Sequence, residues 1–294
     1  HQMRDFHFPG RSPVLAADGM CATSHPLAAK AAVDVLQAGG NAMDAAIAGA
    51  VLLGICEPQM TGIGGDCFVL FKPAGSEEIK ALNGSGRAPA AASAAALRDK
   101  GHETVPLYGP EAVTIPTAVD AFCRLNADWG KLGLDQVLAP TIHYAEAGVP
   151  VAPRVAFDWP KAGEALSGHG RKHYLIEGAP GRVGQTFRAP GQAEVLRRIA
   201  AQGRDGFYTG EVAEDMVAEL RARGGVHTLD DFASAESFYS EPVSGDYKGT
   251  ELVEHPPNGQ GTTAILMLNI LRQFDLAGME PFGAERAHIE AEAA

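Results

Sequence analysis

The chain has 294 residues, 46% of them hydrophobic and 20% charged, which is enough apolar material for a large core and too little charge for a disordered chain. A formal net charge of -12 with no long run of one sign disfavours nucleic-acid binding, because phosphate binding needs clustered Lys and Arg. Every apolar stretch is too short, or too interrupted by Gly, Pro or charge, to span a bilayer, so neither nucleic acid nor membrane is an expected partner.

His1 and Gln2 before Met3 read as an expression remnant, and residues 3–294 as one domain. The segment from Met3 lacks the apolar stretch of a signal peptide, so a cytoplasmic location is expected, or a periplasmic one for a trimmed chain. Cys21, Cys56, Cys67 and Cys123 have no metal-type spacing and read as buried free thiols.

Two buried helices are predicted between residues 20 and 55. The first opens at Ser24-His25-Pro26, with Pro early in the helix and His25 as a capping or packing residue, and closes at Gly39-Gly40. Asn41 caps the second, with Asp44 near its positive end. The glycine turn Thr61-Gly62-Ile63-Gly64-Gly65-Asp66 then leads into the apolar run Cys67 to Phe71, and Ile79 to Asn83 supplies a second strand, so a β-hairpin is predicted. Gly62, Gly64 and Gly65 do not fit a nucleotide cradle: a helix precedes them and a strand follows, the reverse of a dinucleotide fold. They read as a packing or active-site turn.

Asn83-Gly84-Ser85-Gly86-Arg87-Ala88-Pro89 leaves the second strand with two glycines, two hydrogen-bonding side chains and one guanidinium, a group suited to two-point capture of a carboxylate. An ordinary loop braced by a surface ion pair has the same composition. From about Ala94 to Gly225 the chain reads as mostly helical, with a loop-rich stretch from Gly163 to Gly191 and an amphipathic helix from Glu211 to Arg223 ended by Gly224-Gly225. His169 with His173, and His288 with Glu292, are each four apart, yet read as solvated surface residues, and no metal or cofactor is expected. Strands around Val243 to Tyr247 and Glu251 to Glu254 precede the turn Pro256 to Gly261 and a helix from about Thr262 to Arg272.

Taken together, Gly19-Met20-Cys21-Ala22-Thr23-Ser24-His25-Pro26-Leu27-Ala28, Gly39-Gly40-Asn41-Ala42-Met43-Asp44-Ala45-Ala46, Glu57-Pro58 and Gly62-Ile63-Gly64-Gly65 resemble the opening of the γ-glutamyltranspeptidases in order and spacing. Asp205 to Gly210, Gly224 to Thr228, Glu241 to Ser244 and Leu268 to Leu271 continue the likeness. The resemblance implies an α/β, four-layer αββα N-terminal nucleophile hydrolase sandwich, of which this chain is the large (α) subunit, completed by a small (β) subunit from the same precursor. A dimer of such heterodimers is a candidate higher assembly. It also implies that no catalytic nucleophile lies in this chain: a Thr freed at the start of the small subunit attacks a small amide, with its own α-amine as base. Thr262-Thr263 is then a helix cap, and the cleavage junction is either missing or not included in these residues.

Two positions depart from the family pattern. Aligning Ala88-Pro89 puts Ser85 where the family's carboxylate-gripping Arg stands, with Arg87 two residues later, about 7 Å along a strand. Asn258-Gly259-Gln260-Gly261 replaces a frequent Ser-Ser-Gly-Gly. The resemblance therefore implies an amidohydrolase or acyltransferase acting on γ-glutamyl compounds such as glutathione, or on another small amide such as oxamate, the latter as in the oxamate amidohydrolase and cephalosporin acylase group. Arg87, Ser85 and Asn83 are the expected substrate-side residues, and Gly62, Gly64 and Gly65 the active-site turn. The alternative is a non-catalytic binding protein that keeps the fold and has lost self-processing.

Overall fold

The computed structural model describes residues 14–294, so the reading of His1, Gln2 and Met3 falls outside the described residues. Helices and short antiparallel strands are interspersed, and the described residues gather into two compact units, residues 14–62 with 125–203 and residues 63–124 with 204–294.

In the first unit, Pro26–Gln37 and Ala42–Cys56 form the predicted helix pair. Asn41 and Asp44 close a reciprocal capping box on the second helix. Asp44 is fully buried and accepts N–H bonds from Asn41 (3.0 Å), Lys131 (2.9 Å), Leu132 (3.3 Å) and the Asn126 side chain (3.1 Å), so its desolvation is offset by donors rather than by a cation. Ala42–Cys56 is apolar nearly all round because Leu134–Ala147 packs on it, followed by Pro190–Gln202. Trp159 and Phe187 meet edge to face at 5.2 Å in this core. The stretch 163–191, expected as loop, carries the end of the helix Pro153–Ala165, the helix Gly168–Tyr174 and a two-residue ladder between Val149–Pro150 and Thr186–Phe187. Its glycines hid that helix.

In the second unit, Cys67–Phe71 and Lys80–Gly84 form the predicted hairpin. The sequence reading missed a third strand, Phe238–Ser240, which pairs with Lys80–Gly84 and makes that strand central. Val243–Tyr247 and Thr250–Glu254 form a second hairpin, against which the helix Gly261–Leu271 packs. Gly210–Ala222 ends as predicted: Gly224 adopts φ +90° and the Gly225 N–H reaches back to the Leu220 carbonyl at 2.8 Å.

The four cysteines are free, Cys56 buried and the other three half-buried. His169, His173, His288 and Glu292 are exposed, and among the described residues no group of His, Cys, Asp or Glu is gathered to hold a metal. No helix among the described residues is long and apolar enough to cross a membrane.

Candidate active-site cavity

The site grows from the central strand of the second unit. Lys80–Gly84 is paired on both edges and buried on both faces, with Ala81 and Leu82 fully buried and Asn83 1% exposed. A buried carboxamide needs partners on both ends. Asn83 Oδ1 accepts from the Ser85 N–H at 2.8 Å, which turns the chain off the strand, while Asn83 Nδ2 donates to Asn258 Oδ1 at 3.0 Å. The Ser85 hydroxyl donates to the same oxygen at 3.2 Å.

The strand ends at Gly84, so Ser85 and Arg87 lie in a loop and the strand-repeat spacing expected between them does not apply. The loop is pressed onto the segment before the next helix. A Cβ on Gly86 would stand 1.7 Å from the Ile115 carbonyl oxygen, and the Ile115 N–H donates to the Arg87 carbonyl at 2.9 Å. Gly is thus required at 86 by close backbone approach.

Beyond Gly86 the Arg87 side chain is exposed, and among the described residues it makes neither hydrogen bond nor ion pair. The surface-brace alternative for Arg87 therefore finds no partner. Arg87 lines a cavity of about 370 Å³ together with Ser85, Thr117, Asp231, Ser234 and Glu236. The acids there are already engaged. Glu236 accepts from Arg124 at 2.7 Å. Asp231 accepts the Ala90 N–H (2.8 Å), the Thr228 N–H (2.8 Å) and the Thr228 hydroxyl (2.7 Å). Burial alone would raise the Asp231 carboxyl, but these donors outweigh it and hold it below its ordinary value. With its acids occupied, the cavity offers one uncommitted guanidinium to an incoming anion.

A second network fixes another part of the lining. Arg204 donates from Nε to Asp120 Oδ1 at 2.7 Å and from its terminal nitrogen to the carbonyls of Ala233 (2.9 Å) and Ala235. Asp120 Oδ2 accepts the Ser237 N–H at 2.7 Å and its hydroxyl at 2.6 Å. The guanidinium lies over the Tyr208 ring, 4.9 Å from its centre. The residues it pins, 233–237, include the cavity-lining Ser234, Ala235 and Glu236.

Of the sequence-predicted site residues, Arg87 and Ser85 line the cavity, and Asn83 sits beneath them as a support. Gly62, Gly64 and Gly65 are outside the cavity lining. Gly62 lies against Gly54, where an added Cβ would come within 3.1 Å of the Gly62 Cα. The Gly65 carbonyl receives the N–H groups of Thr117 and Ala118 at 3.0 Å each and anchors the start of the helix Ala118–Trp129. His25 caps its helix through Nδ1, as expected. Thr262 and Thr263 start a helix but do not cap it. Gln260 is the N-cap, and the Thr263 hydroxyl donates to the Gln260 side chain at 3.1 Å. In the sequence Asn258 stands out only as a departure from a pattern; the fold reveals that it touches Asn83 and Ser85.

A profile of the family described as Gamma-glutamyltranspeptidase matches residues 28–294. Among curated relatives, the glutathione hydrolase-like YwrD proenzyme of Bacillus subtilis is 35% identical over 285 residues, covering 95% of this chain and 54% of the relative. The chain thus spans about half the length of the curated relatives it matches. The crystal structure of the cephalosporin acylase from Bacillus halodurans superposes with a TM-score of 0.89 at 39% identity, covering 99% of this chain and 56% of that one. That of the Helicobacter pylori γ-glutamyltranspeptidase gives 0.89 at 29% identity, covering 96% and 82%.

Proposed function

The chain belongs to the γ-glutamyltranspeptidase family, and we propose that it is the large subunit of a self-cleaving amidohydrolase whose acyl-binding cavity is built around Arg87. In this reading residues 3–294 act as one subunit, and the remaining half of the precursor brings the nucleophile. The freed N-terminal Thr attacks the amide carbonyl through its hydroxyl, passing the hydroxyl proton to its own α-amine. The amine portion of the substrate leaves with a proton, and water or a second amine takes the acyl group from the Thr ester.

The observation that carries the reading is the uncommitted Arg87 guanidinium in a cavity of about 370 Å³ whose acids are already engaged. It favours an acyl group bearing a carboxylate, which both γ-glutamyl compounds and oxamate possess. The need for a partner is supported by exposed apolar surface in the same unit. Phe68 and Phe238 flank Asn83 in one cross-strand row and are 40% and 46% exposed, and the helix Gly261–Leu271 leaves Leu266 and Ile270 largely open.

The test is expression of the complete precursor, followed by mass spectrometry and kinetics of Arg87→Lys. Two polypeptides, the smaller beginning with Thr, are expected. Arg87→Lys should still cleave itself yet lose about ten- to a hundredfold in kcat/KM on carboxylate-bearing amides, because an ammonium cannot reproduce the two-point fork. A product that stays uncut, or an Arg87→Lys enzyme of unchanged efficiency, would refute the reading.

A further inference from the structure

We propose that Asn258 is a specificity-determining positioning residue, whose side-chain oxygen holds Ser85 and thereby sets where Arg87 stands in the acyl cavity. The inference rests on the proposed role of Arg87 and deepens it.

The loop between the strand and Arg87 is held at both ends. At its start, Ser85 is gripped through its backbone N–H by Asn83 (2.8 Å) and through its hydroxyl by Asn258 (3.2 Å). At its end, the Arg87 carbonyl is tied to the Ile115 N–H (2.9 Å). One residue, Gly86, separates the two anchors, and its backbone already lies against Ile115, so a shift at Ser85 is transmitted to the base of the Arg87 side chain.

Asn258 can serve as an anchor because its own segment is clamped. His255 Nε2 lies 3.0 Å from the Leu82 carbonyl, and its ring meets Phe68 edge-on at 5.1 Å, on the sheet face that carries Asn83. Behind it, Gly261 lets the chain turn into its helix, since a Cβ there would come within 2.4 Å of the His255 carbonyl oxygen. The Asn258 oxygen is therefore a fixed acceptor that receives two donors, one from the buried strand and one from the cavity rim. Ser85 lines the cavity while Asn258 does not, so Asn258 acts through Ser85.

The test uses the complete, self-cleaved protein and two substrate pairs that differ only in a carboxylate: γ-glutamyl-p-nitroanilide against its α-carboxamide, and oxamate against oxamide. The readout is the ratio of kcat/KM between carboxylate and carboxamide, in whichever pair the wild type hydrolyses. Asn258→Ala and Ser85→Ala should each lower that preference by about two- to tenfold, the effect of the one neutral hydrogen bond between Ser85 and Asn258 that both variants remove, and the double variant should lower it no further. Ser85→Thr, which keeps the hydroxyl, should restore it. Self-cleavage and melting temperature should stay close to wild type in the Ser85 variants, which carry the test alone if Asn258→Ala does not fold.

A preference that survives Asn258→Ala or Ser85→Ala, or losses that multiply in the double variant, would overturn the inference while leaving Arg87 in place. A wild type that hydrolyses both members of a pair equally would instead overturn the role of Arg87 and this inference with it. A precursor that cleaves neither itself nor any of the four amides would remove the amidohydrolase reading on which both rest.

Discussion

Removing the Arg204 guanidinium should unfasten one wall of the cavity, at a cost set by three broken bonds. Arg204→Ala deprives Asp120 Oδ1 of its ion partner and the carbonyls of Ala233 and Ala235 of their donor. Asp120 is 4% exposed, so its carboxylate cannot recover full hydration. Breaking a buried pair from one side costs about 3–5 kcal/mol. Two features reduce this: the Arg204 side chain is 31% exposed, and Ser237 still satisfies the other carboxylate oxygen. About 2–4 kcal/mol remains. For a protein of this size roughly 2 °C is lost per kcal/mol, so the melting midpoint of the complete protein should fall by about 4–8 °C in calorimetry. Lys72→Ala is the control. Its pair with Glu77 is exposed on both sides, and its loss should cost less than about 1 kcal/mol. An Arg204→Ala midpoint within about 1 °C of wild type would refute the reasoning, because it would mean the Asp120 carboxylate does not depend on its cation.

Gly86→Ala should shift the Arg87 loop, since the new methyl meets the Ile115 carbonyl oxygen at 1.7 Å; a loss of at least about tenfold in kcat/KM on carboxylate-bearing amides is expected, and a wild-type value would show that the loop yields freely. Burial holds His25 below its ordinary value of 6.5 despite the opposing pull of Glu57, and protonation would also remove the Nδ1 acceptor that caps the helix. The unfolded chain then binds the extra proton between that lowered value and about 6.5, so this contribution to stability is complete above about pH 6.5 and is lost as the pH falls below it; denaturation of His25→Asn, which keeps a capping oxygen, should lack that slope. Burial pushes the thiols of Cys67 to about 11 and of Cys56 and Cys123 to about 12. At pH 8 their thiolate fraction is about one in a thousand or less, so native alkylation followed by peptide mass spectrometry should leave all three unmodified, and rapid labelling of any of them would contradict the described packing.

What the sequence made legible was whatever is dictated by neighbours along the chain. The cap at Asn41, the apolar run Cys67 to Phe71 and the glycine stop after Ala222 each need only a few adjacent residues, and each is found where it was expected. The strand Phe238–Ser240 was not legible, because two aromatic residues and a serine have no alternation to read; it exists through its pairing with Lys80–Gly84. The helix Gly168–Tyr174 was hidden by its glycines in the same way.

The candidate site divides along the same line. Arg87 and Ser85 could be singled out because a guanidinium and a hydroxyl in a glycine loop after a strand are chemically conspicuous. The fixed geometry around them comes from residues far away in the chain: Asn258 on the Ser85 hydroxyl, Ile115 against Gly86, Asp231 on the Ala90 N–H. The strand-repeat spacing does not hold between Ser85 and Arg87 for that reason: the strand ends at Gly84, and Asn83 bends the chain by accepting the Ser85 N–H. The position of Arg87 is therefore a property of the contact between two distant loops, and substitutions at either loop should move substrate preference together.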